Sequence, residues 1–275
     1  MTTVRCERRD GVATLTLDSP ANRNALSARL RAELLAHLAA VIADPAVRVI
    51  VLTHTGPVFC SGMDLTESAG ASAADQGVND LPRILQVLWH SPTPVLARLA
   101  GPARAGGIGL VAACDLAVAV DTATFAFSEV RIGVVPAVIS AVVLPRLGVR
   151  AAHELFLTGE TFDAARAERI GLINAGVPAE TLDVEVDRYV RMLALGAPGA
   201  VAGTKQLLHR PRGVLGDDLA ALSALSAEYF AGPEAREGMA AFRAKRPPSW
   251  SVPAAERQPP PAPASELASG EGGLA

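Results

Sequence analysis

Aromatic residues make up only 4% of the 275-residue chain, so its core has to be assembled from Ala, Val, Leu and Ile. Cysteine is equally scarce: Cys6, Cys60 and Cys114 are odd in number, far apart, and form no Cys-x-x-Cys pair. That excludes a disulfide framework and reads as reduced thiols in a cytosolic protein. Runs of basic residues are missing, the net charge is −3 and the pI is near 6.0. Nothing here steers the chain to nucleic acid or to an anionic membrane. The longest uncharged apolar stretch, IGVVPAVISAVVLP at 132–145, contains Pro136 and Pro145 and is too short to span a bilayer. The first residues, MTTVRCERRD, lack the apolar core of a signal peptide. His37, His54, His90, His153 and His209 are scattered without metal-ligand spacing, so no metal site is expected. Together these absences predict a soluble, cytoplasmic protein with neither membrane nor nucleic acid as partner.

What is present is aliphatic. Half the residues are hydrophobic and the mean hydropathy is +0.29. A chain of this size buries a full core, and its apolar surplus suggests subunit contacts. Residues 3–17 read as a hairpin turning at Asp10-Gly11, with VATLTL alternating after it. Ser27 is placed to cap a helix in which Leu30, Leu34, Leu38 and Ile42 share one face, stopped by Asp44-Pro45. VRVIVLTH (47–54) and PVLARLAG (94–101) read as buried strands, and LPRILQVLWH (81–90) as a helix between them. Strands are expected at 116–120 and 123–127, and helix from about 137 almost to 244. The pattern predicts an α/β core followed by helices. The stretch 67–79, rich in Ala, Ser and Gly, is expected to be mobile, and the Pro-rich tail 251–275 to be disordered.

The segment AGGIGLVAACD (105–115) allows two functions. Gly107, Gly109 and Ala112 fit G-x-G-x-x-A, and Glu129 lies about twenty residues on, where a ribose-binding acid would sit in a dinucleotide fold. That fingerprint needs its glycines directly after the strand, and Pro102-Ala103-Arg104-Ala105 intervene. Alternatively, these glycines clear the approach to backbone amides. A second loop, GPVFCSGMDL (56–65), also follows a buried strand and carries Ser61-Gly62. Two such strand ends can aim two N–H donors at one oxygen, which makes an oxyanion hole.

At these residues the chain resembles a family. PANRNALS (20–27), FCSGMDL (59–65), AGPARAGGIGLVAACDLAVA (100–119), FSEVRIGVVPAVIS (127–140) and LTGETFDAARAERIGLIN (157–174) are similar to successive motifs of the crotonase, or enoyl-CoA hydratase/isomerase, superfamily. The resemblance runs from about residue 5 to about 250 and is loose at 67–80. It implies an α/β fold of ββα turns wound into a spiral (1–195), a helical C-terminal trimerisation region (196–250) and a tail (251–275). It implies acyl-CoA thioester substrates, coenzyme A being part of the substrate rather than a cofactor, and a homotrimer or dimer of trimers.

By the same resemblance the oxyanion donors are the amides of Met63 and Gly106, and Glu129 of the "SE" motif is the acid/base. Arg23, Ala25, Gly62, Asp64 and Leu65 match positions along the nucleotide part of CoA, and Phe242 and Lys245 match a segment reaching a neighbouring subunit's CoA. Cys60, Ser61, Pro136 and Ser140 are further substrate-side candidates, Ser140 as a holder of water. Relatives that hydrate enoyl-CoA commonly carry a second glutamate three residues after the oxyanion glycine, and here that position is Gly109. One carboxylate can still take a proton from water and return it to the α-carbon. It can equally shuttle a proton between C4 and C2. Hydration is the leading reading and double-bond isomerisation the runner-up, followed by a non-catalytic acyl-CoA-binding protein.

Overall fold

The structure, a computed structural model, describes residues 2–68, 80–210 and 215–251; the expected disordered tail, apart from residue 251, and most of the expected mobile stretch lie outside them. The hairpin forms as its turn residues dictate. β1 (Val4–Arg9) and β2 (Val12–Leu17) pair antiparallel, and Asp10 and Gly11 both take positive φ, the geometry of a tight two-residue turn. α1 (Ala28–Ile42) starts where the Ser27 hydroxyl accepts the Leu30 N–H at 3.3 Å. Its Leu30, Leu34 and Leu38 face is fully buried. β3 (Val49–His54) is buried along its whole length, as a strand covered on both faces should be.

The chain then winds in repeating turns. β3 is followed by α2 (Leu65–Ser68) and α3 (Asp80–His90); next come β4 (Val95–Leu99), β5 (Ala103–Arg104) and α4 (Gly106–Ala113). β6 (Leu116–Val120) and β7 (Thr124–Ala126) lead through a 3-10 turn at Ser128–Ile132 into α5 (Ala137–Val143). α6 (Val149–Thr158), β8 (Phe162–Asp163), α7 (Ala164–Arg169) and β9 (Ala175–Val177) complete the core. The large sheet has the order β1-β2-β3-β4-β6-β9 and is parallel beyond the first hairpin; the small one is β5-β7-β8. From β4 onward each turn thus adds one strand to each layer. The expectation of helix from 137 to 244 is corrected at β8 and β9. β9 pairs with β6, and β8 with β7, through contacts that no local pattern encodes.

Helices α8 (Leu182–Leu195), α9 (Pro198–His209), α10 (Leu215–Ala231) and α11 (Pro233–Arg243) follow. α8 packs on β3, β4 and β6, and α10 packs on α11. α9 is pinned to the core by a buried charge. The Lys205 ammonium donates to Asp115 at 2.7 Å and to the Leu88 carbonyl at 3.1 Å. Asp115 in turn accepts the Val95 N–H at 2.8 Å. Arg146 donates to the Ala112 and Cys114 carbonyls at the end of α4, where a cation opposes the helix dipole. No helix among the described residues is long and apolar enough to cross a membrane.

Candidate active site

The spiral brings three loops into register. Cys60 and Ala103 form a parallel bridge, and Ala103 in turn pairs with Phe125. Arg104 N–H donates to Cys60 O at 3.0 Å and Ala105 N–H to Ala126 O at 3.1 Å. Three residues beyond Cys60 lies Met63, three beyond Ala103 lies Gly106, and four beyond Phe125 lies Glu129. The three residues are therefore near-equivalent points on successive turns. They meet in one cavity of about 430 Å³, lined also by Ser61, Ser128 and Pro136.

Gly62 makes the approach possible. Its φ is +93°, and a Cβ there would lie 3.0 Å from the Ala105 Cβ and 3.4 Å from the Gly106 nitrogen. Ala105 takes the strained φ of 47° as it turns the chain from β5 into α4. Gly106 opens α4, so its amide is one of the orphan donors of a helix start. Among the described residues, no backbone carbonyl accepts the Met63 or the Gly106 N–H. Two residues with unclaimed amides, one of them at a helix start, thus line one cavity, an arrangement suited to a developing negative charge.

Glu129 sits half-buried in the 3-10 turn. Burial pushes its pKa above the ordinary carboxylate value. Its Oε2 is buried and has no hydrogen-bond partner among the described residues. A carboxyl so placed is a better proton acceptor than a solvated one.

Several expected site residues stand elsewhere. Gly109 does not line the cavity. A Cβ there would lie 2.6 Å from Ile139 Cγ2 and 3.3 Å from its Cβ, so Ile139, itself a wall of the cavity, fills the space a side chain at 109 would need. The Gly109→Glu variant is expected to lose about 1–3 kcal/mol of stability through overpacking and to gain no turnover. Thermal denaturation of the single variant and of its combination with Ile139→Ala checks this, the combination recovering part of the loss. Ser140 is also outside the lining, and its hydroxyl donates to Ala137 O at 2.6 Å within its own helix. Cys60 is fully buried, with its thiol pKa pushed up to about 12 by desolvation, so it serves the register and not the chemistry.

The remaining candidates shape the loops. Arg23 is exposed, but its carbonyl accepts the Ser61 N–H at 3.1 Å. Ala25 is buried, and Leu26 N–H donates to Gly62 O at 2.8 Å. Asp64 caps α2, accepting from Thr66 and from Asn22, and Leu65 opens that helix. Phe242 and Lys245 lie at the end of α11, outside the cavity of their own chain, and Phe242 is 87% exposed. Sequence reasoning missed Asn24 and Ser128. Asn24, buried with φ 52°, donates to Thr55 O and Val58 O and accepts from Ser19 N, tying the first loop to the second. Asparagine's tolerance of the left-handed region was the available signal. The dinucleotide reading loses its basis too. A Cβ at Gly107 would lie 2.6 Å from Cys60 O, so Gly107 and Gly109 alike serve close packing.

The model of the enoyl-CoA hydratase/isomerase family matches residues 7–253. The chain belongs to that family. It is 33% identical to the rat mitochondrial enoyl-CoA hydratase domain-containing protein 3, over 89% of this chain and 83% of that one. It is 32% identical to the enoyl-CoA isomerase/hydratase fer4 of Mycosarcoma maydis, over 88% of this chain and 93% of that one. The crystal structure of an enoyl-CoA hydratase from Mycobacterium smegmatis superposes with a TM-score of 0.84 at 33% identity, covering 90% of this chain and 98% of that one. The crotonase fold implied by the sequence motifs is the fold of the molecule.

Proposed function

We propose that this family member is an enoyl-CoA hydratase working with a single carboxylate. The Met63 and Gly106 amides hold the thioester oxygen. Glu129 takes a proton from water as the water oxygen bonds to the β-carbon. The C=C electrons move onto the thioester oxygen as an enolate held by the two amides. When the enolate collapses, the α-carbon takes the proton back from Glu129. The Ser128 hydroxyl, which lines the same cavity, is the candidate to hold the water in place of Ser140. One observation supports this reading: Met63 and Gly106, whose amides no backbone carbonyl claims, line the same cavity as Glu129 with its desolvated carboxyl.

A second reading has its own support. Glu129 is the only carboxylate among the described residues lining the cavity, and Ile139 fills the position beside Gly109. One base is enough to move a proton from C4 to C2, so a Δ3-Δ2 isomerase needs nothing more. Assays on crotonyl-CoA and on the 3-enoyl-CoA of the same chain length separate the two. Faster turnover of crotonyl-CoA supports the hydratase, and faster conversion of the 3-enoyl substrate replaces it with the isomerase. Tight acyl-CoA binding without either reaction points to a non-catalytic binder. The exposed Phe242 supports a role for α11 toward a neighbouring subunit.

A further inference from the structure

One wall of the cavity runs on into an apolar rim. Ile132, Val134 and Val135 line the cavity yet are 57%, 49% and 78% exposed. Branched apolar side chains left in water beside a cavity are unfavourable unless something covers them. The rim is braced by its backbone. Val134 N–H donates to Glu129 O at 3.1 Å, Ala137 N–H to Val135 O at 2.7 Å, and Arg131 Nε to Thr158 O at 3.2 Å. Gly133, with φ +77° and open space around it, makes the turn that presents the two valines. The rim is thus continuous with the site and tied directly to the residue that carries the carboxyl. Among the described residues no Lys, Arg or His lines the cavity.

Resting on the acyl-CoA chemistry proposed above, we infer that the substrate's acyl group is a medium- or long-chain uncharged hydrocarbon that leaves the cavity across Ile132, Val134 and Val135. A crotonyl group carries only one carbon beyond the reacting β-carbon and so offers little surface to cover this rim. A chain ending in a carboxylate would meet no Lys, Arg or His among the described residues lining the cavity. The occupant is the substrate's own tail, because the exposed surface begins inside the cavity that holds the reacting carbons.

The test compares crotonyl-CoA with decenoyl-CoA. Six added methylenes, half of their surface buried, should raise kcat/KM by at least about thirtyfold. Ile132→Ser combined with Val135→Ser should narrow that preference by roughly tenfold. Both positions are exposed, so folding is not at stake. A flat chain-length profile in an active enzyme overturns the inference, as does a terminal carboxylate that leaves kcat/KM unchanged. Altered sedimentation of the double variant with an unaltered chain-length preference also overturns it, assigning the rim to a subunit contact. If no enoyl-CoA is turned over, the proposed function fails separately. Calorimetric titration with saturated butyryl-CoA and decanoyl-CoA then still decides the inference, tighter decanoyl binding supporting it and equal binding overturning it.

Discussion

Glu129→Gln is expected to lower kcat by about 10²–10⁴-fold, the usual contribution of a positioned acid/base group, while acyl-CoA binding and the fold persist. The amide keeps the shape of the carboxyl but can neither take nor return a proton. Near-normal turnover would remove Glu129 from the chemistry. The raised pKa adds a pH signature. The ionised form accepts the first proton, so kcat/KM should rise with pH through a pKa above that of an ordinary glutamate. Stability should run the other way. A carboxyl whose folded-state pKa lies above its unfolded value contributes stability at acidic pH, below the unfolded pKa. It loses that contribution as pH climbs through the folded value. Above that raised value the wild type holds an ionised, half-buried carboxylate whose Oε2 is unpaired, and there Glu129→Gln should melt at a higher temperature. That advantage should shrink as pH falls from the raised folded value to the ordinary carboxylate range, and change no further below it.

Gly106→Val is expected to raise the barrier by at least roughly 3 kcal/mol, the scale set by loss of one oxyanion donor. A Cβ at 106 would lie 3.1 Å from Leu26 Cδ1 and 3.4 Å from Leu81 Cδ2, and Gly62 Cα is 3.7 Å away. A valine there has to push against these neighbours or shift the start of α4. Either response moves the amide away from the position that Met63 shares. The effect should fall on kcat more than on KM, because the oxyanion forms only as the reaction proceeds. Steady-state kinetics with circular dichroism as the folding control checks this. Equal kcat in the variant and the wild type would count against the role of Gly106.

That Met63, Gly106 and Glu129 come together at one cavity was legible because each sits in a loop with its own local signature. Ser61-Gly62-Met63 follows a buried strand, the glycines of 106–109 follow another, and Ser128-Glu129 follows a third. The bridge that aligns them, Cys60 with Ala103, joins residues far apart in the chain and leaves no periodic trace. The same holds for β5, β8 and β9, which are two or three residues long and exist only through their partners. The hairpin and α1 were readable for the opposite reason, since turn chemistry and a capping serine act locally. Gly109 shows where local sequence stops and tertiary contact begins to decide. Its sequence position shows that an acid is missing, whereas only the tertiary contact shows that Ile139 occupies the space. Ser140 drew attention as a polar residue near an apolar site, yet a carbonyl three residues back already satisfies its hydroxyl.

The most direct test is a crystal structure of the Glu129→Gln variant with an unsaturated acyl-CoA bound. The expected result is a thioester oxygen about 3 Å from both the Met63 and Gly106 nitrogens, with the residue-129 side chain beside the α-carbon. A thioester oxygen bound away from either amide, or a residue-129 side chain turned out into solvent, would contradict the account.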